Sequence, residues 1–197
     1  MDTFVYEIDG KLYINLTNRC SNDCEFCVRN GKDSYYGNKL WLSKEPTAEE
    51  VLALIPDFGY SEVVFCGFGE PTFKMKEVSA IGKELKKRGF FVRINTNGQG
   101  NLINGRDITE ELVAAVDKVN VSLNAGDRDK YYEICRPVFG EDAFDAILDF
   151  ASLCKDRGII TEFSIVGVLS AADREKCEKI AERLGIHLRI RKYIQDS

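Results

Sequence analysis

The sequence predicts an α/β fold, a partial (β/α)6 barrel with an N-terminal β-hairpin. Two observations support this prediction. Apolar strand-like runs alternate with amphipathic helical patterns along almost all of the 197 residues, which is typical of parallel sheets with right-handed crossovers. Six strands would lie in parallel, too few for the eight of a closed barrel. The length suits one domain, and we expect residues 1–197 to form it.

The first elements are two short apolar runs that predict the hairpin. Residues 4–8 and 12–16 are joined by Asp9 and Gly10, a pair favoured in tight turns. Residues 28–45 then form a polar segment with scattered aromatic side chains. We expect this segment to be a loop, and it is the one candidate for a mobile segment.

The alternation of strands and helices begins after this loop. Predicted strands cover residues 62–66, 90–94, 118–123, 159–168 and 186–193, and predicted helices cover residues 46–55, 75–88, 109–116, 142–156 and 172–184. Three helices are followed by Gly89, Gly158 and Gly185, and glycine favours the left-handed backbone that ends a helix. Each of these glycines therefore marks a turn into the next strand.

Composition and charge exclude several classes of protein. Hydrophobic residues make up 44% and charged residues 30% of the chain, and no apolar run approaches the roughly 20 residues of a membrane span. The first residues lack the pattern of a signal peptide, so we expect a cytoplasmic protein without a membrane partner. A net charge of −5 and a pI near 5.1 argue against a nucleic-acid partner.

Three of the seven cysteines are bunched in one short stretch. Cys20, Cys24 and Cys27 follow a predicted strand with the spacing Cys-x3-Cys-x2-Cys. Structural zinc and ordinary electron-transfer clusters take four protein ligands, so three cysteines leave one coordination position open. The alternative is a zinc-stabilised interaction module without enzymatic activity, in which His187 or Cys66 supplies the fourth ligand.

This cysteine spacing, with Phe26 before the last cysteine, resembles the signature of the radical S-adenosylmethionine (SAM) superfamily. The resemblance implies a radical SAM core of the partial-barrel type and a [4Fe-4S] cluster held by Cys20, Cys24 and Cys27. It also implies that the fourth iron binds SAM and that an electron splits SAM to a 5′-deoxyadenosyl radical. An external one-electron donor, such as flavodoxin or ferredoxin, would be needed. Oxygen would have to be excluded.

A second likeness to this family lies after the predicted strand 62–66. The run Gly67, Phe68, Gly69 and Glu70 resembles the family's Gly-Gly-Glu-Pro turn, with Phe68 in place of one glycine. In the family this turn binds the SAM amino group through its backbone. Since the contact is to backbone atoms, a side chain at Phe68 is compatible with it.

The family resemblance implies further SAM contacts at the ends of later strands. These are Asn95 and Asn97 on the third barrel strand, Ser122 and Asn124 on the fourth for the ribose, Val166 and Gly167 on the fifth for the adenine, and Arg136 for the carboxylate. A solvated helix-end cation is the alternative for Arg136. Because a β/α barrel builds its site from the C-terminal ends of its strands, the order of these motifs agrees with one shared site.

Residues 40–42, 95–107 and 189–193 resemble short radical SAM proteins associated with TatD-type nucleases, a resemblance that brings no substrate. We expect hydrogen abstraction from a protein or peptide, with a nucleotide or another small molecule as the alternative. Six strands leave the barrel open, so a cover is needed: residues 28–45, a second subunit, or a docked macromolecular substrate. Arg189, Arg191 and Lys192 are interpreted as a solvated strand face rather than a phosphate site.

Overall fold

The computed structural model describes residues 2–192. Its strands are β1 (Val5–Ile8), β2 (Lys11–Ile14), β3 (Ser34–Tyr35), β4 (Asn38–Lys39), β5 (Glu62–Phe65), β6 (Phe91–Thr96), β7 (Lys118–Ser122), β8 (Ile160–Val166) and β9 (His187–Arg191). Its helices are α1 (Ala48–Leu52), α2 (Met75–Lys87), α3 (Gly100–Asn104), α4 (Thr109–Ala115), α5 (Arg128–Cys135), α6 (Asp142–Asp156) and α7 (Ala171–Leu184), with a 3-10 turn at Pro71–Lys74.

Seven strands form one sheet in the order β1-β2-β5-β6-β7-β8-β9. The pair β1–β2 is antiparallel, and each of the other five pairs is parallel. The six parallel strands and the partial, unclosed barrel are therefore confirmed. Among the described residues, β1 and β9 are the two edges of the sheet.

The N-terminal hairpin is confirmed together with its turn. Asp9 and Gly10 join β1 to β2 with φ values of 50° and 71°, and two consecutive left-handed residues are what a type I′ turn requires. The helix-ending glycines also behave as predicted, since Gly89, Gly158 and Gly185 have φ values of 86°, 82° and 60°.

The outer face of the sheet carries the apolar core. Residues of β5 to β8 that alternate along each strand, such as Phe65, Ile94, Val121 and Phe163, pack with the helices in one buried cluster. In a parallel sheet covered by helices this packing is the main source of stability.

The inner face of the same strands is polar, because side chains alternate between the two faces. Near the start of the strands, Glu62 pairs with Lys11 at 2.5 Å and with Arg93 at 2.7 Å. Glu162 pairs with Lys118 at 3.0 Å and with Arg189 at 3.1 Å. These ion pairs link β2, β5, β6, β7, β8 and β9 across the interior of the partial barrel.

The sequence did not predict α3, α5, the 3-10 turn or the two-stranded sheet of β3 and β4. All of these are short and follow Gly-rich or polar stretches, where periodicity is a weak signal. The predicted strand 186–193 is observed as β9, and its last residue, Tyr193, lies outside the described residues. No helix within residues 2–192 is both long and apolar enough to cross a membrane.

Candidate functional site

A loop with three cysteines follows the C-terminal end of β2. We call residues 18–27 the cysteine loop. Cys20, Cys24 and Cys27 are unpaired thiols, and all three are half-buried. The C-terminal ends of parallel strands are where β/α barrels place their active sites. The cysteine loop therefore lies where the sequence predicts the site.

The backbone of the cysteine loop is bound to two neighbouring elements. Glu70, in the turn after β5, donates its N–H to the Arg19 carbonyl at 2.7 Å. On the other side, the Asp23 N–H donates to the Cys135 carbonyl at the end of α5, at 3.0 Å. Strand β5 and helix α5 thus fix the loop from opposite ends.

A buried polar cluster holds the middle of the cysteine loop. The hydroxyl of Tyr131 accepts hydrogen bonds from Asn22 Nδ2 and Gln99 Nε2, both at 2.9 Å. Gln99 Nε2 also donates to Asn22 Oδ1 at 2.7 Å. All three side chains are buried, so solvent cannot replace these hydrogen bonds if one is lost.

The side chains of two residues predicted to bind the cofactor make contacts within the protein. Asn97 Nδ2 donates to Ser21 Oγ at 2.8 Å and lies 4.0 Å from Cys20 Sγ. The buried Glu70 carboxylate accepts from Thr96 Oγ1 at 2.8 Å and from the Asn97 N–H at 2.7 Å. Burial raises the pKa of Glu70, and these hydrogen bonds oppose that shift. Both side chains position the turns around the cysteine loop.

The turn after β5 lies so close to the start of the cysteine loop that it requires glycine. A Cβ on Gly67 would lie 2.0 Å from Asn15 Oδ1, and one on Gly69 would lie 2.2 Å from the Thr17 carbonyl oxygen. No real Cβ tolerates such contacts. The presence of glycine on each side of Phe68 therefore has a steric cause.

The segment 28–45 is held against the cysteine loop. Trp41 packs edge to face on Phe68 with ring centroids 5.3 Å apart, and its Nε1 donates to the Lys32 carbonyl at 3.0 Å. The Asn18 side chain exchanges two hydrogen bonds with the Leu42 backbone, at 2.8 and 3.0 Å. These contacts place segment 28–45 beside the site. The sequence had indicated this segment as the candidate for mobility.

The surroundings of the three thiols favour their neutral form. Burial raises the pKa of Cys20 to about 12 and also raises the pKa of Cys27. The pKa of Cys24 is raised by its contact with Cys135, with burial as the second cause. Arg29 acts in the opposite direction on all three. A bound cation would be needed to convert these thiols to thiolates.

The thiols are not gathered in a ligand arrangement. Cys24 Sγ lies 3.9 Å from the Cys135 carbonyl oxygen. Within residues 2–192, no group of three or more His, Cys, Asp or Glu side chains is arranged to hold a metal ion. Binding one centre through all three thiols therefore requires a rearrangement of the cysteine loop.

The predicted contacts on β7 and β8 lie on the same side of the molecule as the cysteine loop. Ser122 is the last residue of β7 and is half-buried. Asn124 adopts a left-handed backbone with φ of 59°, and its Nδ2 lies 3.8 Å from Cys135 Sγ. On β8, Val166 is buried, and Gly167 donates its N–H to a β9 carbonyl at 2.9 Å.

Three other predicted residues make different contacts. Phe26 packs against the apolar core. Asn95 faces the barrel interior, where its Oδ1 accepts from Arg93 at 2.6 Å and from Asn120 at 3.3 Å. Arg136 is exposed and ends α5 with φ of 45°, which fits the alternative of a solvated helix-end cation.

Sequence reasoning missed three residues of this region: Asn22, Gln99 and Tyr131. Asn22 lies inside the cysteine motif, and Gln99 directly follows the Asn-Thr-Asn-Gly turn. Their positions in the sequence could therefore have indicated that both lie near the site. Tyr131 had no such indication, because it belongs to α5 and reaches the cysteine loop only in the folded chain.

A groove of about 700 Å³ lies on the outer surface, lined by residues of α2 and by Arg19, Glu45 and Arg106. Arg19 stacks on Phe73 there, 4.4 Å from the ring centroid. The groove includes none of the three clustered cysteines among its lining residues. We therefore place the candidate site at the cysteine loop and not in this groove.

Comparison with protein families gives a match over residues 14–184 to the family described as the Radical SAM superfamily. A protein of Saccharolobus solfataricus named "Probable GTP 3′,8-cyclase" is 31% identical over 181 residues, which are 89% of this chain and 54% of that protein. A protein of Methanocaldococcus jannaschii, assigned by its name to the glycyl-radical enzyme activating enzymes, is 31% identical over 169 residues, 83% of this chain and 64% of that one. This chain thus spans about half to two thirds of the length of these relatives.

Solved structures share the fold. Streptococcus suis SuiB bound to the precursor peptide SuiA has a TM-score of 0.71 and 16% identity, covering 97% of this chain and 41% of SuiB. Native anSMEcpe with bound AdoMet has a TM-score of 0.63 and 16% identity, covering 92% of this chain and 50% of that protein. At these identities the likeness concerns the fold alone.

Proposed function

This chain belongs to the radical SAM superfamily, and we propose that it is an enzyme that uses a [4Fe-4S] cluster and SAM to abstract hydrogen from a substrate. When bound, the reduced cluster supplies the electron that splits SAM into methionine and a 5′-deoxyadenosyl radical. The observation that carries the proposal is the cysteine loop at the C-terminal end of β2, in a chain that matches the family over residues 14–184.

The proposed cluster ligands are Cys20, Cys24 and Cys27. Their donor chemistry fits, because iron–sulfur clusters are held by thiolates and these three thiols are free and half-buried. Arg29 donates to the carbonyls of Asn18 and Asn22 at 3.1 and 3.3 Å, which holds a positive charge beside the loop. A fixed cation favours the negative charge that thiolate ligands bring.

The proposed SAM contacts lie in the turns that surround the cysteine loop. Gly67, Phe68 and Gly69 would contribute backbone atoms, and Ser122, Asn124, Val166 and Gly167 would contribute from β7 and β8. Phe26, Asn95 and Arg136 remain proposed contacts. Glu70 and Asn97 would act by positioning, because their side chains already bond to other parts of the site.

The test of the cluster assignment is iron content after anaerobic reconstitution with iron and sulfide. We expect about four irons per chain and a brown protein. The triple variant Cys20→Ala, Cys24→Ala, Cys27→Ala should bind no cluster and cleave no SAM. A control variant, Cys154→Ala, changes a buried cysteine of α6 and should keep its iron. Four irons in the triple variant would refute the assignment.

The same experiment addresses the zinc-stabilised interaction module. Zinc would leave the protein colourless and would give no SAM cleavage under reducing conditions. The family match favours the radical enzyme over this alternative. An external one-electron donor of the flavodoxin or ferredoxin type is part of the proposal.

For the substrate, we propose a protein or peptide. The mouth of the barrel has exposed apolar side chains on two sides of the cysteine loop, with Tyr36 and Trp41 in segment 28–45 and Tyr132 and Val138 at and after α5. Exposed apolar groups around a site favour a partner that covers them. A docked polypeptide would also help to close the open barrel, since radical chemistry requires exclusion of water.

A nucleotide or another small molecule is the second candidate, favoured by the likeness to the GTP 3′,8-cyclases. Reductive SAM cleavage can be measured alone, with peptides from a cell extract and with pooled metabolites. Stimulation by peptides supports the first candidate. Stimulation by metabolites alone would refute it and would make segment 28–45, through Trp41, the cover of a small substrate.

A further inference from the structure

Arg191 is half-buried and forms no ion pair with a carboxylate of residues 2–192. It ends β9 beside Val166 of β8, and its carbonyl accepts the Gly167 N–H at 2.9 Å. Its Nε is shielded from solvent and has no hydrogen-bond partner. Its closest side-chain acceptor is Asn124 Oδ1, at 3.5 Å from a terminal nitrogen. Arg191 is half-buried with a shielded Nε, so the expectation of a solvated strand face is only partly met for this residue.

The other basic residues of the barrel interior are already neutralised. Lys11 and Arg93 share Glu62, and Lys118 and Arg189 share Glu162. Both carboxylates therefore have at least two cationic partners near the start of the strands. Arg191 lies at the other end of its strand, and the ion pairs found within residues 2–192 do not include it.

The neighbours of Arg191 belong to the candidate site. Cys66 after β5, Tyr35 in β3 and Cys24 in the cysteine loop lie near its guanidinium. Burial lowers its pKa, as expected for a cation that has lost water without gaining an anion. On the neighbouring strand β8, opposite Arg189, Ser164 Oγ is also buried and has no hydrogen-bond partner. Two buried groups are therefore left for a ligand to satisfy.

We propose that Arg191 is the anion anchor of the substrate site, where its guanidinium binds a carboxylate or phosphate group of the substrate. A guanidinium is suited to this because it presents several donors in a planar fork that matches oxyanions. The inference rests on the proposed function for the identity of the ligand, and it adds that the substrate is anionic. Either an acidic peptide or a phosphorylated small molecule meets this requirement.

The test separates this proposal from the radical chemistry by measuring anion binding to the full chain before a cluster is introduced. The probes are inorganic pyrophosphate and acetate, titrated by calorimetry. We expect at least one of them to bind the wild-type chain. Arg191→Gln should weaken that binding by about tenfold or more, since hydrogen bonds to charged groups are the strong ones. Arg191→Lys, which keeps the charge, should bind with intermediate affinity.

The matched control is Arg183→Gln, on the exposed face of α7, which removes the same charge and should leave binding unchanged. Thermal unfolding of Arg191→Gln without ligand should show no loss of stability, because the replaced charge has no partner to lose. No binding of either probe by the wild-type chain would overturn the proposal. So would equal binding by Arg191→Gln, whatever the outcome for SAM cleavage.

Two further measurements on the reconstituted protein, iron content and SAM affinity, show whether the guanidinium binds the substrate, the cluster or SAM. If Arg191 anchors the substrate, Arg191→Gln keeps its iron content and its SAM affinity. A loss of iron would show that the guanidinium balances the charge of the cluster. A loss of SAM affinity of about tenfold would assign the guanidinium to the SAM carboxylate. Either result overturns the substrate assignment.

Discussion

Replacement of Tyr131 by phenylalanine tests whether the buried polar cluster holds the cysteine loop. Tyr131→Phe removes one oxygen and keeps the ring, which packs on Phe144 at 5.8 Å between centroids. The lost hydroxyl accepts two hydrogen bonds of 2.9 Å. Gln99 keeps its hydrogen bond to Asn22 Oδ1, but Asn22 Nδ2 is left without an acceptor. Leaving such a buried donor unsatisfied costs about 1–3 kcal/mol.

The assay combines urea unfolding of the cluster-free chain with iron content after reconstitution at limiting iron. Tyr131→Phe should lower the free energy of unfolding by that amount and reduce iron incorporation, because Asn22 lies between two of the cysteines. The control, Tyr132→Phe, changes the next residue of α5, whose side chain is 51% exposed. We expect its stability within about 0.5 kcal/mol of wild type. Equal stability and equal iron loading in the two variants would refute the role of the buried polar cluster in holding the cysteine loop.

Three other changes have defined outcomes. Gly69→Ala places a Cβ 2.2 Å from the Thr17 carbonyl oxygen and should cost about 1–3 kcal/mol in urea unfolding, with reduced iron loading. Burial opposes ionisation of Glu162, but Lys118 and its other cationic partners outweigh burial and lower its pKa below 4.5. The free energy of unfolding of Glu162→Gln should therefore be about 1–3 kcal/mol lower than that of the wild type at pH 7. That difference should disappear as the pH falls from 4.5 through the lower pKa of the folded state, since both chains are then neutral at this position. Ser122→Ala should weaken SAM binding about fivefold, the equivalent of one hydrogen bond of about 1 kcal/mol.

Controls separate these effects from general loss of stability. Gly158→Ala adds a Cβ with no neighbour within 4 Å but at φ of 82°; it should cost stability through the backbone and leave iron loading unchanged. Glu182→Gln changes an exposed carboxylate of α7 and should unfold like the wild type at every pH. Full iron loading in Gly69→Ala, a pH-independent difference for Glu162→Gln, or unchanged SAM affinity in Ser122→Ala would contradict the corresponding prediction.

Much of the fold could be predicted from the sequence because its signals are local. Alternation of apolar residues predicted the six parallel strands and five of the helices, with α6 matched at both ends (Asp142–Asp156). Asp9-Gly10 predicted the turn of the hairpin, because left-handed residues there are set by local sterics. Short elements such as α3 (Gly100–Asn104) and β3 (Ser34–Tyr35) were missed, since neither is long enough for a period to appear.

Part of the candidate site could likewise be predicted from the sequence, and part could not. The sequence by itself determined the spacing of Cys20, Cys24 and Cys27, and with it the family, because ligand spacing is a property of one continuous segment. Only the tertiary structure decided that Tyr131 holds the cysteine loop and that the Nε of Arg191 is shielded from solvent without a hydrogen-bond partner. Both facts depend on which distant side chains meet at the end of the barrel, and burial and pairing of charge exist only after the strands have been brought together.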